Sequence, residues 1–594
     1  MAGVFGLLGM ADPRVLHAMA RRLAHRGSAP EIGEVAPGVS LGCMADRAAG
    51  LLEIEGCTLA ADLSLYNGPE LRAALGLRAE EASRLMLEAY RRFGDAGFAM
   101  ANGDFAFALW DARAGQLILA RDFVGVRPLY LAPLPSGGLA FASEYKALLA
   151  IDEIPAEPDF DMVQWLQHTK HLPSGRTLLR SIRSVPPGAA VAFDRGGRAA
   201  WERRMPPIEL AVKRMAMDAA RSSVADAFMA AMERQTARKS VIGVALSGGI
   251  DSIGVACATR QLLPSSEIHT FTAGSGPDDA EIMRAGFVAA RIGATQHDVP
   301  ITPAEVAELL PEVVWHLEDP IARTETVQFY ALGQKAAGLV DTMLTGVAAD
   351  GLFAGMPRHK ILWLMGRLPF LRRPLTEFYS LTQSGRPPQT LIGKLMDWLY
   401  FRGGVPPVPT VKHSDYRPKL PEFPDNDREF LNKVMWGSFQ EAVATWLPKV
   451  ERTLGAGGVR FSSPYLDRDF MRVAFTVPSA YKIQRGKEKY VLRQALKAII
   501  PAEVLNVPKF PMRMKYDQDF SDTLDALAER ILAKDRVEAR GLMEFAAIER
   551  LRRRKPGRPY SSEGAMRLWT ALLTEIWAHQ FLDLRGAKPA DLED

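Results

Sequence analysis

Cysteine is scarce in this chain. Only Cys43, Cys57 and Cys257 occur in 594 residues. Their spacing fits no metal-binding pattern, and so low and odd a count excludes a disulfide framework and points to a reducing compartment. Long apolar runs are also missing. No segment approaches the roughly 20 apolar residues of a spanning helix. The opening MAGVFGLLGMADPRV lacks the basic start and long apolar stretch of a signal peptide. The expectation is a cytoplasmic protein without a membrane span. Nor does one sign of charge dominate: 73 Lys and Arg face 69 Asp and Glu, for a net charge of +4. So small a net charge gives no licence for a nucleic-acid-binding reading, which would want a concentrated basic face. There is no internal repeat, and the Walker A pattern GxxxxGK[ST] is absent.

What is present is ordinary globular material, 48 % hydrophobic and 24 % charged, with length for two large domains or three smaller ones. Up to about residue 205, short β-like runs (VSLGCM, CTLAADLSLY, FAFALW, QLILARD) alternate with turn residues, which predicts an antiparallel, sheet-rich unit. DPRVLHAMARRLAHR and EEASRLMLEAYRRFG carry apolar residues at helical spacing. The stretch SVPPGAAVAFDRGGRAAWERRMPP reads as the linker, giving domains at 1–207 and 208–594. After Met215 a helix (AARSSVADAFMAAMERQTARK) leads into the β-run SVIGVAL. Further β-runs, EIHTFTAG and DTML, alternate with helices, and this order predicts a parallel α/β sheet. Residues 355–445 read as a divergent helical insertion.

The strongest motif is SGGIDS, entered from Leu246 at the end of the apolar run. Ser247, Gly248, Gly249, Asp251 and Ser252 lie between a predicted strand and a predicted helix. A Gly-Gly turn lets backbone N–H groups close around an anion, and the helix adds its positive end. The two serines add hydroxyl donors. Asp251 would repel phosphate, so its expected role is to hold Mg²⁺ against it. The pattern resembles the pyrophosphate loop of enzymes that cleave ATP to AMP and pyrophosphate. A second acidic site, TGVAADGLFAG, follows the β-run DTML. Gly346 and Asp350 are therefore expected at a neighbouring strand end, where ligands of open parallel sheets bind. Asp350 either shares the metal with Asp251 or caps a helix.

With these pieces the whole chain resembles the asparagine synthetase superfamily. The carriers are MAGVFGLLG, HRGSAPEIG, DLSLYN, NGDFAFALWD, RDFVGVRPLY, TLLRSIRSVPPG, SGGIDS, LTGVAADGLFAG, SSPYLDRDF and KEKYVLRQALKAIIPAEVLNVPKF. The resemblance implies an α+β, Ntn-hydrolase-like amidotransferase domain with an antiparallel sheet, then an α/β ATP-pyrophosphatase synthetase domain with a parallel sheet and a large helical portion. It implies a cytoplasmic ligase that uses ATP and Mg²⁺ to turn a carboxylate into an acyl-adenylate, which a nitrogen nucleophile displaces. It also implies that Lys509 stabilises the charged intermediate, with Lys487 and Lys489 as alternatives at the phosphates.

Two departures from the family pattern stand out. Glutamine-dependent members carry a nucleophilic Cys at position 2, and here it is Ala2. Where the family has an oxyanion-stabilising Asn-Gly, this chain has Asp62-Leu63. Loss of glutaminase activity is expected. In the second site both glutamates of the family's pattern are replaced, by Val347 and Gly351, which counts against asparagine synthesis. Members without glutaminase use an amine already in the substrate. The chain looks most like the lasso-peptide cyclases, which join a peptide's N-terminal amine to an Asp or Glu side chain. The β-lactam synthetases, with Tyr where this chain has Val347, come second. Residues 355–420 hold eleven Lys and Arg against three acids, which suits a precursor peptide bearing carboxylates. The resemblance further implies a transient complex with a leader peptidase. Glu318 and Asp319, in WHLEDP, are candidates for the amine's general base by composition alone.

Overall fold

A computed structural model describes the chain apart from residues 1, 46–49, 79–80, 170–171, 210–211, 238, 322, 357–358, 361, 364–365, 367–410, 412–428, 441–443, 506–515, 555–556 and 589–594. The N-terminal part holds two six-stranded sheets, and their strand pairs are antiparallel, as the alternating runs predict. In the first sheet Ala2–Leu8 lies between Val39–Ala45 and Leu139–Ala142. In the second, Gly103–Asp111 lies between Cys57–Leu65 and Gln116–Arg121.

The two-residue period of a strand explains why NGDFAFALWD reads as continuously apolar. Ala106, Ala108 and Trp110 face the first sheet and pack with Val4, Leu41 and Phe141. Phe105, Phe107 and Leu109 face the other way, onto Met86 and Leu87 of the helix Ala82–Phe93. Both faces of this strand are covered, so neither needs polar residues.

The C-terminal part is built on a parallel five-stranded sheet. Its order is Thr295–Pro300, Glu267–Gly274, Val241–Ala245, Thr342–Leu344, Arg460–Ser462. Three of these strands match the predicted β-runs, and the two edge strands were not anticipated. The helix Met217–Thr236 leads in, as expected. Among the described residues, no helix is long and apolar enough to cross a membrane. Most of the predicted 355–445 insertion lies outside the described residues.

The halves meet over a large buried surface rich in charge. Arg26, Arg127, Glu144, Lys146, Glu318, Glu451 and Arg452 are each buried there. Hydrogen bonds run from Tyr145 to the Glu318 carbonyl (2.5 Å), from Trp577 Nε1 to Tyr145 Oη (2.9 Å) and from Arg585 to the Ile151 and Ile154 carbonyls.

Candidate active site

SGGIDS forms the turn between the strand Val241–Ala245 and the helix Ile250–Leu262. Leu246 is buried and fixed by its N–H to the Phe271 carbonyl (2.9 Å) and its carbonyl from Thr272 Oγ1 (2.7 Å). Gly248 takes φ +62°, a conformation that favours glycine. Ser252 Oγ accepts from the Ser247 N–H (3.0 Å) and donates to the Gly249 carbonyl (3.1 Å), tying the loop across its base. Asp251 then lies in the first turn of the helix.

The neighbouring strand, Thr342–Leu344, delivers the second acid. A side chain on Gly346 would put its Cβ 2.9 Å from both Asp251 Cβ and the Ser252 nitrogen, so only glycine lets the two loops approach this closely. Asp350 follows in the short helix Ala349–Leu352. Both predicted carboxylates therefore reach one place. They meet there on Lys489, whose Nζ contacts Asp251 Oδ2 and lies 2.6 Å from Asp350 Oδ1. Burial opposes the charge on Lys489, but the two carboxylates outweigh it and hold the ammonium above the usual lysine range.

SSPYLDRDF supplies the remaining wall. Tyr465 donates to the Asp251 carbonyl (3.1 Å), and Ser463 donates to the Val347 carbonyl (2.8 Å). Sequence reasoning used this phrase only as a family marker. Its chemical role was hidden because the strand before it, Arg460–Ser462, is three residues long.

The donor set fits Mg²⁺. Asp251 Oδ1 is buried without a hydrogen-bond partner, so one hard oxygen remains to be satisfied. Among the described residues there is no cluster of three or more His, Cys, Asp and Glu that could cage a metal. Mg²⁺ suits such a sparse site, because it takes one or two carboxylates and fills its shell with phosphate oxygens and water. Lys509 lies outside the described residues.

Lys489, one of the two alternatives at the phosphates, is the described lysine that the fold brings to both acids. One expectation needs correction. Glu318 and Asp319 are not directed at this cluster. Glu318 accepts from the Lys146 N–H (2.7 Å) and pairs with Arg452 (2.5 Å), and Asp319 accepts from the Leu178 N–H (3.0 Å). Both hold the two halves together.

The amidotransferase end differs in kind. Ala2 begins a strand and is buried, and its carbonyl accepts from Arg26 Nε (2.9 Å). The other two Arg26 nitrogens are taken by carboxylates: Glu144 (2.7 Å), Asp62 (3.2 Å) and, from the synthetase half, Glu451 (2.6 Å). Arg127 binds the same Glu451 (2.8 Å). Burial works against the Asp62 charge, yet Arg127 and Arg26 hold its carboxyl below the usual range. Cys43, on the adjacent strand, offers no replacement nucleophile. Burial pushes its thiol up to about 12.

Comparison with known proteins agrees with this layout. The asparagine synthase model matches residues 223–579, and the glutamine amidotransferase domain model matches residues 1–203. The chain belongs to the asparagine synthase family. A Mycobacterium tuberculosis protein provisionally named a glutamine-hydrolysing asparagine synthetase is 28% identical over 565 residues, covering 87% of this chain and 84% of that one. Glutamine-hydrolysing asparagine synthetase 1 of Bacillus subtilis is 23% identical over 542 residues, covering 86% and 84%. Asparagine synthetase B of Escherichia coli is 22% identical over 501 residues, covering 81% and 74%. The family's enzymes are ATP-dependent ligases that form amide bonds and release AMP and pyrophosphate, and this chain is one of them.

Proposed function

We propose that the protein is a macrolactam synthetase. It adenylates an Asp or Glu side chain of a precursor peptide, and the same peptide's N-terminal amine closes the ring. The observation that carries this reading is the contrast between the two ends of the molecule. The SGGIDS loop, Asp251, Asp350 and Lys489 converge as an ATP-using centre requires. At the other end position 2 has no nucleophilic atom, and the cation beside it is saturated by three carboxylates. Without glutamine-derived ammonia the nitrogen comes from free ammonia or from the substrate itself, and the replacement of both family glutamates by Val347 and Gly351 favours the substrate.

In this reading Leu246, Ser247, Gly248, Gly249, Ser252 and Gly346 shape the phosphate cradle, and Asp251 and Asp350 would hold Mg²⁺, which when bound would neutralise phosphate charge. The peptide carboxylate attacks the α-phosphate and expels pyrophosphate, and the α-amine then attacks the acyl carbon and expels AMP. Lys489 places a positive charge between the two acids, beside the phosphates. Lys509 is assigned to the charged intermediate by resemblance. Holding amine and carboxylate in one folded peptide replaces a bimolecular encounter, an advantage of up to roughly 7–11 kcal/mol. The basic, aromatic 355–420 stretch is the proposed grip on the peptide, and a leader peptidase is the proposed partner.

The test is pyrophosphate release by the purified chain with ATP and Mg²⁺. It is run with glutamine, with aspartate plus ammonia, and with a core peptide bearing a free amine. Release with the peptide alone, and a product lighter by one water, is the expected result. Release with aspartate and ammonia would establish an ammonia-dependent asparagine synthetase instead. Release only with a small amino acid that cyclises would establish the β-lactam type.

A further inference from the structure

Between the two halves, and sharing no residue with the Asp251–Lys489–Asp350 cluster, lies a second cavity. Arg121, Tyr130 and Arg176 line it from the N-terminal domain, and Asp319, Lys449 and Arg452 from the synthetase domain. Lys449, on the helix Ala444–Gly455, is only 4% exposed. Among the described residues its ammonium makes no hydrogen bond or ion pair, and Asp319, Arg452 and Glu318 act on it only at longer range.

The surrounding groups do not relieve this. Arg452 is paired with Glu318 (2.5 Å), and Arg176 with Asp159 (2.5 Å). Arg121 spends its nitrogens on the carbonyls of Arg127 (2.8 Å), Val185 (2.6 Å) and Gly125 (2.7 Å), so its charge meets oxygen but no carboxylate. Asp319 gives one oxygen to the Leu178 N–H (3.0 Å), and burial pushes its carboxyl up. The Tyr130 phenol is held protonated by burial. The lining thus carries four cationic side chains against one acid. A buried ammonium in such company either gives up its proton or takes an anion. Burial, with the Arg452 charge adding to it, pushes Lys449 down to about 7 against the pull of Asp319 and Glu318.

We infer that this interdomain cavity binds a small oxyanion, a phosphate or a carboxylate group, with Lys449 as its principal partner and Arg121 behind it. The bound anion would keep Lys449 charged and would bridge a helix of the synthetase half to the N-terminal domain.

The experiment uses the full chain at pH 8 in chloride, phosphate or acetate at equal ionic strength. Cyanate carbamylates neutral amines, and peptide mass spectrometry reads the rate at Lys449. An anion that raises the Lys449 pKa by about two units cuts its free-amine fraction at this pH about tenfold. The expected result is therefore about tenfold slower labelling of Lys449, with the exposed Lys588 unchanged. The anion that gives the larger effect identifies the ligand. Equal rates in all three salts would overturn the inference, and this readout needs no variant to fold. A second arm follows the thermal midpoint. The rise with phosphate or acetate should vanish in Lys449→Gln and persist in Ser247→Ala, which separates this cavity from the ATP loop. An equal rise in Lys449→Gln and the parent protein would also overturn it.

Discussion

Asp251 and Asp350 are 99 positions apart in sequence and share one ammonium in space. At this scale the chemistry depends on single charges. Asp251→Asn and Asp350→Asn are each expected to lower kcat for pyrophosphate release about 10²–10³-fold, the usual effect of removing one preorganised electrostatic group. Circular dichroism should show the fold retained. Both acids were legible in the sequence because each follows an apolar run that ends in a glycine-bearing turn. The placement of Lys489 was not legible. It caps the helix Tyr490–Leu496 at φ +54°, a left-handed conformation that nothing in KEKY announces. A buried acid supplies a pH prediction. Burial and the neighbouring Asp122 charge push Asp104 up to about 7, where it accepts from Tyr66 Oη (2.5 Å). Its pKa in the unfolded chain is near 3.9. Between about pH 4 and 7 the folded state therefore keeps a proton that the unfolded state has lost. Stability should fall as pH rises through that window, by up to about 1.4 kcal/mol per pH unit from this group. Denaturant melts of Asp104→Asn against the parent should show a flatter slope there.

At the scale of elements, the centre depends on loops at the ends of short strands. Thr342–Leu344 and Arg460–Ser462 have three residues each. Their brevity explains a gap in the sequence reading: RFS is too short for alternation to register, and TQHDVP, at the sheet edge, is half-exposed and polar. The longer central strands, buried on both faces, read clearly as apolar runs. What the short strands deliver is close approach between loops. A Cβ on Gly355 would collide with Asp350 Oδ1 and Lys489 Cε. Gly355→Ala should therefore displace one of them, abolish ATP-dependent pyrophosphate release and cost about 1–3 kcal/mol of stability, as overpacking does. Retention of full activity with an unchanged melt would refute that assignment of the loop.

At the scale of the whole molecule, the amidotransferase domain is bound to the synthetase domain through buried charge. Glu451 reaches from the synthetase half into the cations beside Ala2. Glu451→Gln leaves Arg26 and Arg127 short of a counter-charge, and breaking such a buried pair typically costs about 3–5 kcal/mol. A lower thermal midpoint, together with loss of a single concerted transition, is the expected outcome. Restoring the nucleophile alone should achieve nothing. Ala2→Cys is expected to release no glutamate from glutamine, because Asp62 still faces the site and Arg26 is still saturated. The change from an antiparallel to a parallel sheet was readable from the strand and helix pattern, whereas this joint was not, since its partners are hundreds of residues apart. The same joint governs the order of assembly. Tyr145 is completed by Trp577, and the carbonyls of Ile151 and Ile154 by Arg585. On a ribosome Tyr145, Ile151 and Ile154 are made more than four hundred residues before Trp577 and Arg585, so this side of the amidotransferase domain is locked only after the intervening synthetase domain has been synthesised.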